Sequence, residues 1–203
     1  MNDVDLLIMH EAGHAVSANS LGQPAGAIIW TKDSKGIPYG CVQSTFTKRT
    51  TEFVTFLFSG LAATYVMHPD VISGKLGLTV RDLVKWSRLK YGQHCVDIAQ
   101  DDLVKVGFVE GELGIYLYSQ MPIVNHYAKE LQQAIDLLSK NRIDLQNLAD
   151  YCKNQGRSIG KRELRQLLNN QTPRWWARCR DFPILQLVRH EHWKSRRRKD
   201  KNR

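Results

Sequence analysis

The chain has 203 residues, of which 42% are apolar and 24% charged, an ordinary balance for a globular protein with one cored domain and room for an appendage. The formal charge of +9 is concentrated at one end: residues 172–203 hold eleven Lys/Arg against three Asp/Glu, a net of +8, so the other 171 residues carry only +1. That distribution argues against nucleic-acid binding by the body of the protein. The four cysteines, Cys41, Cys95, Cys152 and Cys179, are scattered with no Cys-x-x-Cys pair, which argues against a cysteine-built zinc site.

With no signal peptide at the N-terminus, reduced thiols and a soluble, cytoplasmic protein are expected. The longest apolar stretch, residues 53–67, is too short for a membrane span and carries Thr55, Ser59 and Thr64. In chain order, Asn2 or Asp3 can cap a first helix over residues 4–20, with Asp3 and Asp5 suited to its positive end. Residues 27–32 and 39–45 read as two strands of a hairpin turning at Asp33-Ser34-Lys35-Gly36. Residues 51–67 form a second helix, apolar all round and so expected at the centre of the fold. Further helices are expected over 79–91, closed by Gly92, and over 94–109. A helical pair, 123–140 and 144–153, turns at Asn141-Arg142, and a short helix over 161–168 completes the body. Pro173 opens a tail containing Trp175, Trp176, Phe182 and Trp193.

The most informative residues lie on the first helix: His10-Glu11-Ala12-Gly13-His14. Residues four apart project from one helix face, about 40° from each other, so two imidazoles can share one zinc ion. Glu11 is about 100° round from His10, where its carboxylate reaches a metal-bound water without ligating the metal. Such a carboxylate is a general base for hydrolysis at a carbonyl. The pattern predicts a zinc-dependent hydrolase with His10 and His14 as ligands and Glu11 as base.

His10-Glu11-Ala12-Gly13-His14-Ala15-Val16 resembles the signature of the FtsH-type AAA metalloproteases. Three later stretches resemble the same peptidase domain in the same order. They are the hairpin from Ile28-Ile29-Trp30 to Gly40, the segment Ser59-Gly60-Leu61-Ala62-Ala63, and the helical pair containing Ala134, Leu137, Leu138, Asn141, Arg142, Leu145, Leu148 and Ala149. The resemblance covers about residues 4–168 and implies a mainly α, zincin-like peptidase fold with a small β-hairpin. In that family a Glu follows Ala-Ala, where this chain has Thr64. The chain has no Walker A sequence, and the zinc motif begins at residue 10. The expectation is a stand-alone, ATP-independent metalloendopeptidase (residues 1–171) acting on peptides or unfolded protein, with a basic, Trp-containing extension (172–203).

A catalytic zinc usually has three protein ligands. The resemblance implies an Asp near the start of a later helix. Asp97, just after the Gly92 break, is the expected third ligand. Asp102, on an apolar helix face with Ala99, Val106 and Val109, and Asp82, nearest the family's spacing, are the alternatives. His68, His94 and His126 are expected as surface or core histidines. Either role fits the hairpin: covering the core, or pairing with an extended substrate beside the zinc.

The basic end, 189–203, reads as a solvated tail with its tryptophans docked on the body. It is also the one segment suited to an acidic partner or nucleic acid, through its charge and through Trp175, Trp176 and Trp193. His190 and His192 near Cys179 form a weaker second metal candidate. The rival readings are a non-catalytic binding protein that keeps the peptidase fold and works through the tail, and a zinc amidase acting on a non-peptide amide. No feature of the sequence fixes the oligomeric state.

Overall fold

The computed structural model describes residues 2–23, 25–32, 38–46, 50–68, 78–106, 108–111, 114–117 and 127–169; for 30–32, 38–39, 108–111, 114–117 and 169 it describes the backbone alone. Met1–Leu168 form one compact unit. The expected boundary at 171/172 and the whole basic tail, including Cys179, His190 and His192, lie outside the described residues, as does His126.

Helix α1 spans Asp3–Ser20, and its N-cap Asn2 accepts the Asp5 N–H at 2.8 Å. Every residue from Leu6 to Ala18 on it is buried. Strands β1 (Ile28–Lys32) and β2 (Pro38–Val42) form an antiparallel hairpin in which Trp30 faces Gly40. The start of β1 is also pinned on its other side: Ile28 and Ile159 exchange both backbone hydrogen bonds, at 3.0 and 2.8 Å. Helix α2 spans Thr51–Met67, capped by Thr50 and buried from Val54 to Val66. Its continuous apolar surface is used on all sides, against α1 and four later helices.

The next segment departs from expectation. Helix α3 (Val80–Tyr91) opens with a capping box: the Thr79 hydroxyl accepts the Asp82 N–H, while Asp82 accepts the Thr79 N–H at 3.2 Å. Gly92, at φ 84°, ends α3 as expected. The single helix expected over 94–109 is instead two short ones, α4 (Gln93–Ile98) and α5 (Gln100–Lys105), with a turn at Ala99. The end of that expected helix, Phe108 and Val109, lies in strand β3 (Phe108–Gly111), antiparallel to β4 (Gly114–Leu117), a second small sheet that the sequence did not announce. Short alternating apolar runs beside glycines do not separate a frayed helix from a hairpin.

Helices α6 (Ala128–Lys140) and α7 (Arg142–Gln155) are the expected pair, with α7 ended by Gly156 at φ 61°. Helix α8 (Lys161–Asn169) follows. The architecture is mainly helical with two small antiparallel sheets. Among the described residues no helix is long and apolar enough to cross a membrane.

The helix crossing that matters is α1 on α2. A Cβ on Gly13 would come within 2.5 Å of the Ser59 carbonyl oxygen and 2.6 Å of the Ala63 Cβ, so the two backbones meet there without side chains between them. This contact joins the pentapeptide of α1 to the Ser59-Gly60-Leu61-Ala62-Ala63 segment of α2.

Cys41, Cys95 and Cys152 are free thiols. Burial pushes the Cys95 thiol up to about 11 and that of Cys152 up to about 12. Cys41 is exposed on β2. In the native chain at neutral pH, Cys41 should therefore be alkylated well before Cys95 and Cys152, at least tenfold faster given the need for thiolate and access. Peptide mapping by mass spectrometry after timed labelling checks this order.

Candidate metal centre

His10 and His14 are each 4% or less exposed, on the face of α1 turned toward α2 and α5. His14 is fixed by a hydrogen bond from its Nδ1 to the Phe56 carbonyl oxygen, 2.8 Å away. A carbonyl only accepts, so Nδ1 carries a hydrogen and Nε2 is the atom left facing Asp102 and His10. The Phe56 ring packs beside the imidazole, 4.7 Å between centroids. His10 lies over Gly60: a Cβ there would overlap the imidazole ring. The glycine of the Ser59–Ala63 segment thus makes room for the imidazole ring, as Gly13 makes room for the crossing.

The carboxylate that meets both imidazoles is Asp102, in the first turn of α5. Its Oδ2 lies 3.0 Å from His10 Nε2 and 2.8 Å from His14 Nε2, and the two Nε2 atoms are 3.0 Å apart. These residues are the only group of three metal-binding side chains so arranged among the described residues.

Asp97, the expected partner, is exposed on α4, where it accepts a hydrogen bond from Gln93 Nε2 at 2.8 Å. Asp97 is thus not among the side chains that meet the imidazoles. The turn at Ala99 separates α4 from α5, and Asp102 rather than Asp97 comes to the imidazoles. Asp82 is occupied by its capping box. His94 lies 3.8 Å from Asp3, and His68 packs edge-on to Trp86. Neither belongs to the cluster.

The charges are strongly coupled. Burial opposes ionisation of Asp102, yet the two imidazoles hold its carboxyl well below the usual range. Burial likewise opposes a charged His14, but Asp102 and Glu11 outweigh it and raise its pKa. Glu11 is 4% exposed. Burial pushes its carboxyl up, with His10 and His14 offsetting part of the effect. Its Oε2 is buried with no hydrogen-bond partner among the described residues. Strand β2 presses on the same side chain: a Cβ on Gly40 would lie 2.6 Å from Glu11 Cγ and 2.8 Å from Oε1. Beyond the carboxylate, Lys105 Nζ lies 3.3 Å from Asp102 Oδ1.

Two imidazole nitrogens and a carboxylate oxygen at mutual distances of 2.8–3.0 Å suit a small divalent cation. Neighbouring ligand atoms of tetrahedral zinc stand about 3.3 Å apart, so the triangle is slightly tighter than a loaded site. The unpartnered Glu11 Oε2 is the second sign of fit, because an unsatisfied buried carboxylate oxygen beside such a triangle needs a donor, and a metal-bound water is one.

Gly60→Ala should force the buried His10 ring out of place. We expect a stability loss of about 1–3 kcal/mol, a fall of roughly 3–10 °C in Tm, and weakened zinc binding. Gly160→Ala, where nothing lies within 4 Å of the new Cβ, is the matched control. Equal melting curves for the two variants would show that the ring is not confined as described.

Asp102 was legible in one respect, as a carboxylate on an apolar helix face. Lys105 and Gly40 carried no signal in the sequence, because their roles come from elements that meet only in the fold. The chain matches no protein-family model and no curated protein.

Proposed function

We propose that the chain is a zinc-dependent endopeptidase of zincin-like fold, with His10, His14 and Asp102 as metal ligands and Glu11 as general base. The observation that carries this reading is the triangle of His10 Nε2, His14 Nε2 and Asp102 Oδ2 beside the buried, unpartnered Glu11 Oε2. Zinc held there would supply a water of lowered pKa and polarise the scissile carbonyl. Glu11 accepts the proton of the attacking water and returns one to the leaving amine. Burial raises its carboxyl pKa, the direction that strengthens it as a base. The Phe56 carbonyl keeps His14 in the tautomer that offers Nε2.

Strand β2 bears on the choice of substrate. It is bonded to β1 on one side, and its backbone passes Glu11 at Gly40 without a side chain between them. An extended peptide alongside β2 would present its carbonyl to the metal position, beside the base. The resemblance of the α1 pentapeptide, the hairpin and the Ser59–Ala63 segment to FtsH-type peptidases supports this assignment, and Thr64 marks the departure. The Thr64 hydroxyl donates to the Leu61 carbonyl at 2.9 Å and also meets the buried Cys95 thiol, so the position is satisfied without a carboxylate.

The test is metal content and cleavage together. Elemental analysis of the chain purified without chelator should find about one zinc per chain. An unfolded protein such as reduced casein should be cut without ATP, and cleavage should stop with a zinc chelator and return on zinc addition. Zinc-loaded chain that leaves both casein and a broad peptide library intact would overturn the reading.

A further inference from the structure

The inference deepens the reading just given and rests on it. Both imidazoles converge on one oxygen of Asp102, Oδ2, while the other, Oδ1, faces Lys105. Lys105 is one turn further along α5, and 54% of its side chain is exposed to solvent. An ammonium has three donors. Asp102 engages one, and it is the only ion-pair partner of Lys105 among the described residues. Lys105 therefore holds a half-exposed ammonium directly beside Asp102, the carboxylate that meets both imidazoles. Its charge also reaches Glu11 and Cys41 of β2, the strand whose Gly40 lies against Glu11.

Zinc bound at the centre would offset the charges of the buried Glu11 and Asp102, and among the described residues Lys105 is the exposed cation beside them. Its charge favours an arriving carboxylate over a neutral group. A half-exposed ammonium of this kind stabilises a bound carboxylate modestly, but it sets preference between otherwise equal substrates. We propose that Lys105 is a specificity-determining residue that selects peptides carrying a carboxylate close to the scissile bond. That carboxylate comes from an acidic side chain or from a free C-terminus.

The experiment measures binding, apart from turnover, in the full-length zinc-loaded chain carrying Glu11→Gln. Isothermal titration calorimetry compares three short alanine-based peptides: one with an internal Glu and an amidated end, its Gln counterpart, and the Gln peptide with a free C-terminus. A Glu peptide that binds about three- to tenfold tighter than the Gln amide assigns the preference to side chains; the same advantage for the free-ended peptide assigns it to C-termini. Adding Lys105→Met should abolish whichever advantage is seen, and Lys105→Arg, which keeps the charge, should retain it. A merely structural lysine would not give charge-dependent rescue. Equal binding of all three peptides, or an advantage unchanged in Lys105→Met, would overturn the proposal. Failure of the peptidase reading is seen separately, as zinc-loaded chain with Glu11 intact that does not cleave, whatever peptides it binds.

Discussion

Replacing Glu11 with Gln should lower peptide hydrolysis by about 10²- to 10⁴-fold while leaving the zinc content unchanged. The geometry separates the two properties. Glu11 is outside the ligand triangle, and its role begins with a proton that Gln cannot accept. The substitution also removes a buried carboxylate whose Oε2 has no hydrogen-bond partner among the described residues. An unsatisfied buried charge is costly, so the variant should melt no lower than the parent, and a rise of a few degrees is expected. Steady-state cleavage of a quenched fluorescent peptide, elemental analysis and a thermal melt give the three readouts. Residual activity within tenfold of the parent would remove Glu11 from the role of base. Zinc lost along with activity would make it part of the binding site instead.

The second large effect concerns the third ligand. Asp102→Asn keeps the shape of the side chain but loses the charge that both imidazoles face. Zinc affinity should fall by at least about a hundredfold, beyond the usual cost of losing a residue that only supports a ligand, and activity should fall with it. Asp97→Asn should change neither, because Asp97 is exposed and engaged by Gln93. Asp82→Ala should lose about 0.5–1 kcal/mol of stability through its capping box, without affecting zinc. Competition with a chromophoric chelator measures all three affinities on one scale. Loss of zinc from the Asp97 variant with retention in the Asp102 variant would reverse the assignment.

The two predictions draw on different levels of information. His10, Glu11 and His14 were readable from the sequence because their relation is local. Spacing on one helix fixes which face each occupies, whatever the helix packs against. Helix α2 was readable for a related reason: a run apolar on every side has nowhere to go but the core. The caps at Asn2 and Thr79 and the stop at Gly92 are also local chemistry, and the ends of α1 and α3 fell within a residue of expectation.

Tertiary structure decided what local rules do not reach. The break at Ala99 turned one expected helix into two, and Asp102 rather than Asp97 lies against the imidazoles. Cys95 and Val96 on α4 and Leu103 on α5 are all buried on either side of the turn, a packing that no short window of sequence contains. Gly40 and Gly60 matter because of what lies opposite them, Glu11 and the His10 ring, at 29 and 50 residues' separation in the chain. Lys105 acquires its place only once α5 is set against α1. Local spacing alone sets the helix that carries the two histidines and the carboxylate. The packing of α2, α5 and the hairpin around that helix sets which aspartate faces the histidines, which oxygen is left unpartnered among the described residues, and which cation lies beside the aspartate. Helix periodicity acts over four residues, whereas the site is assembled across more than ninety.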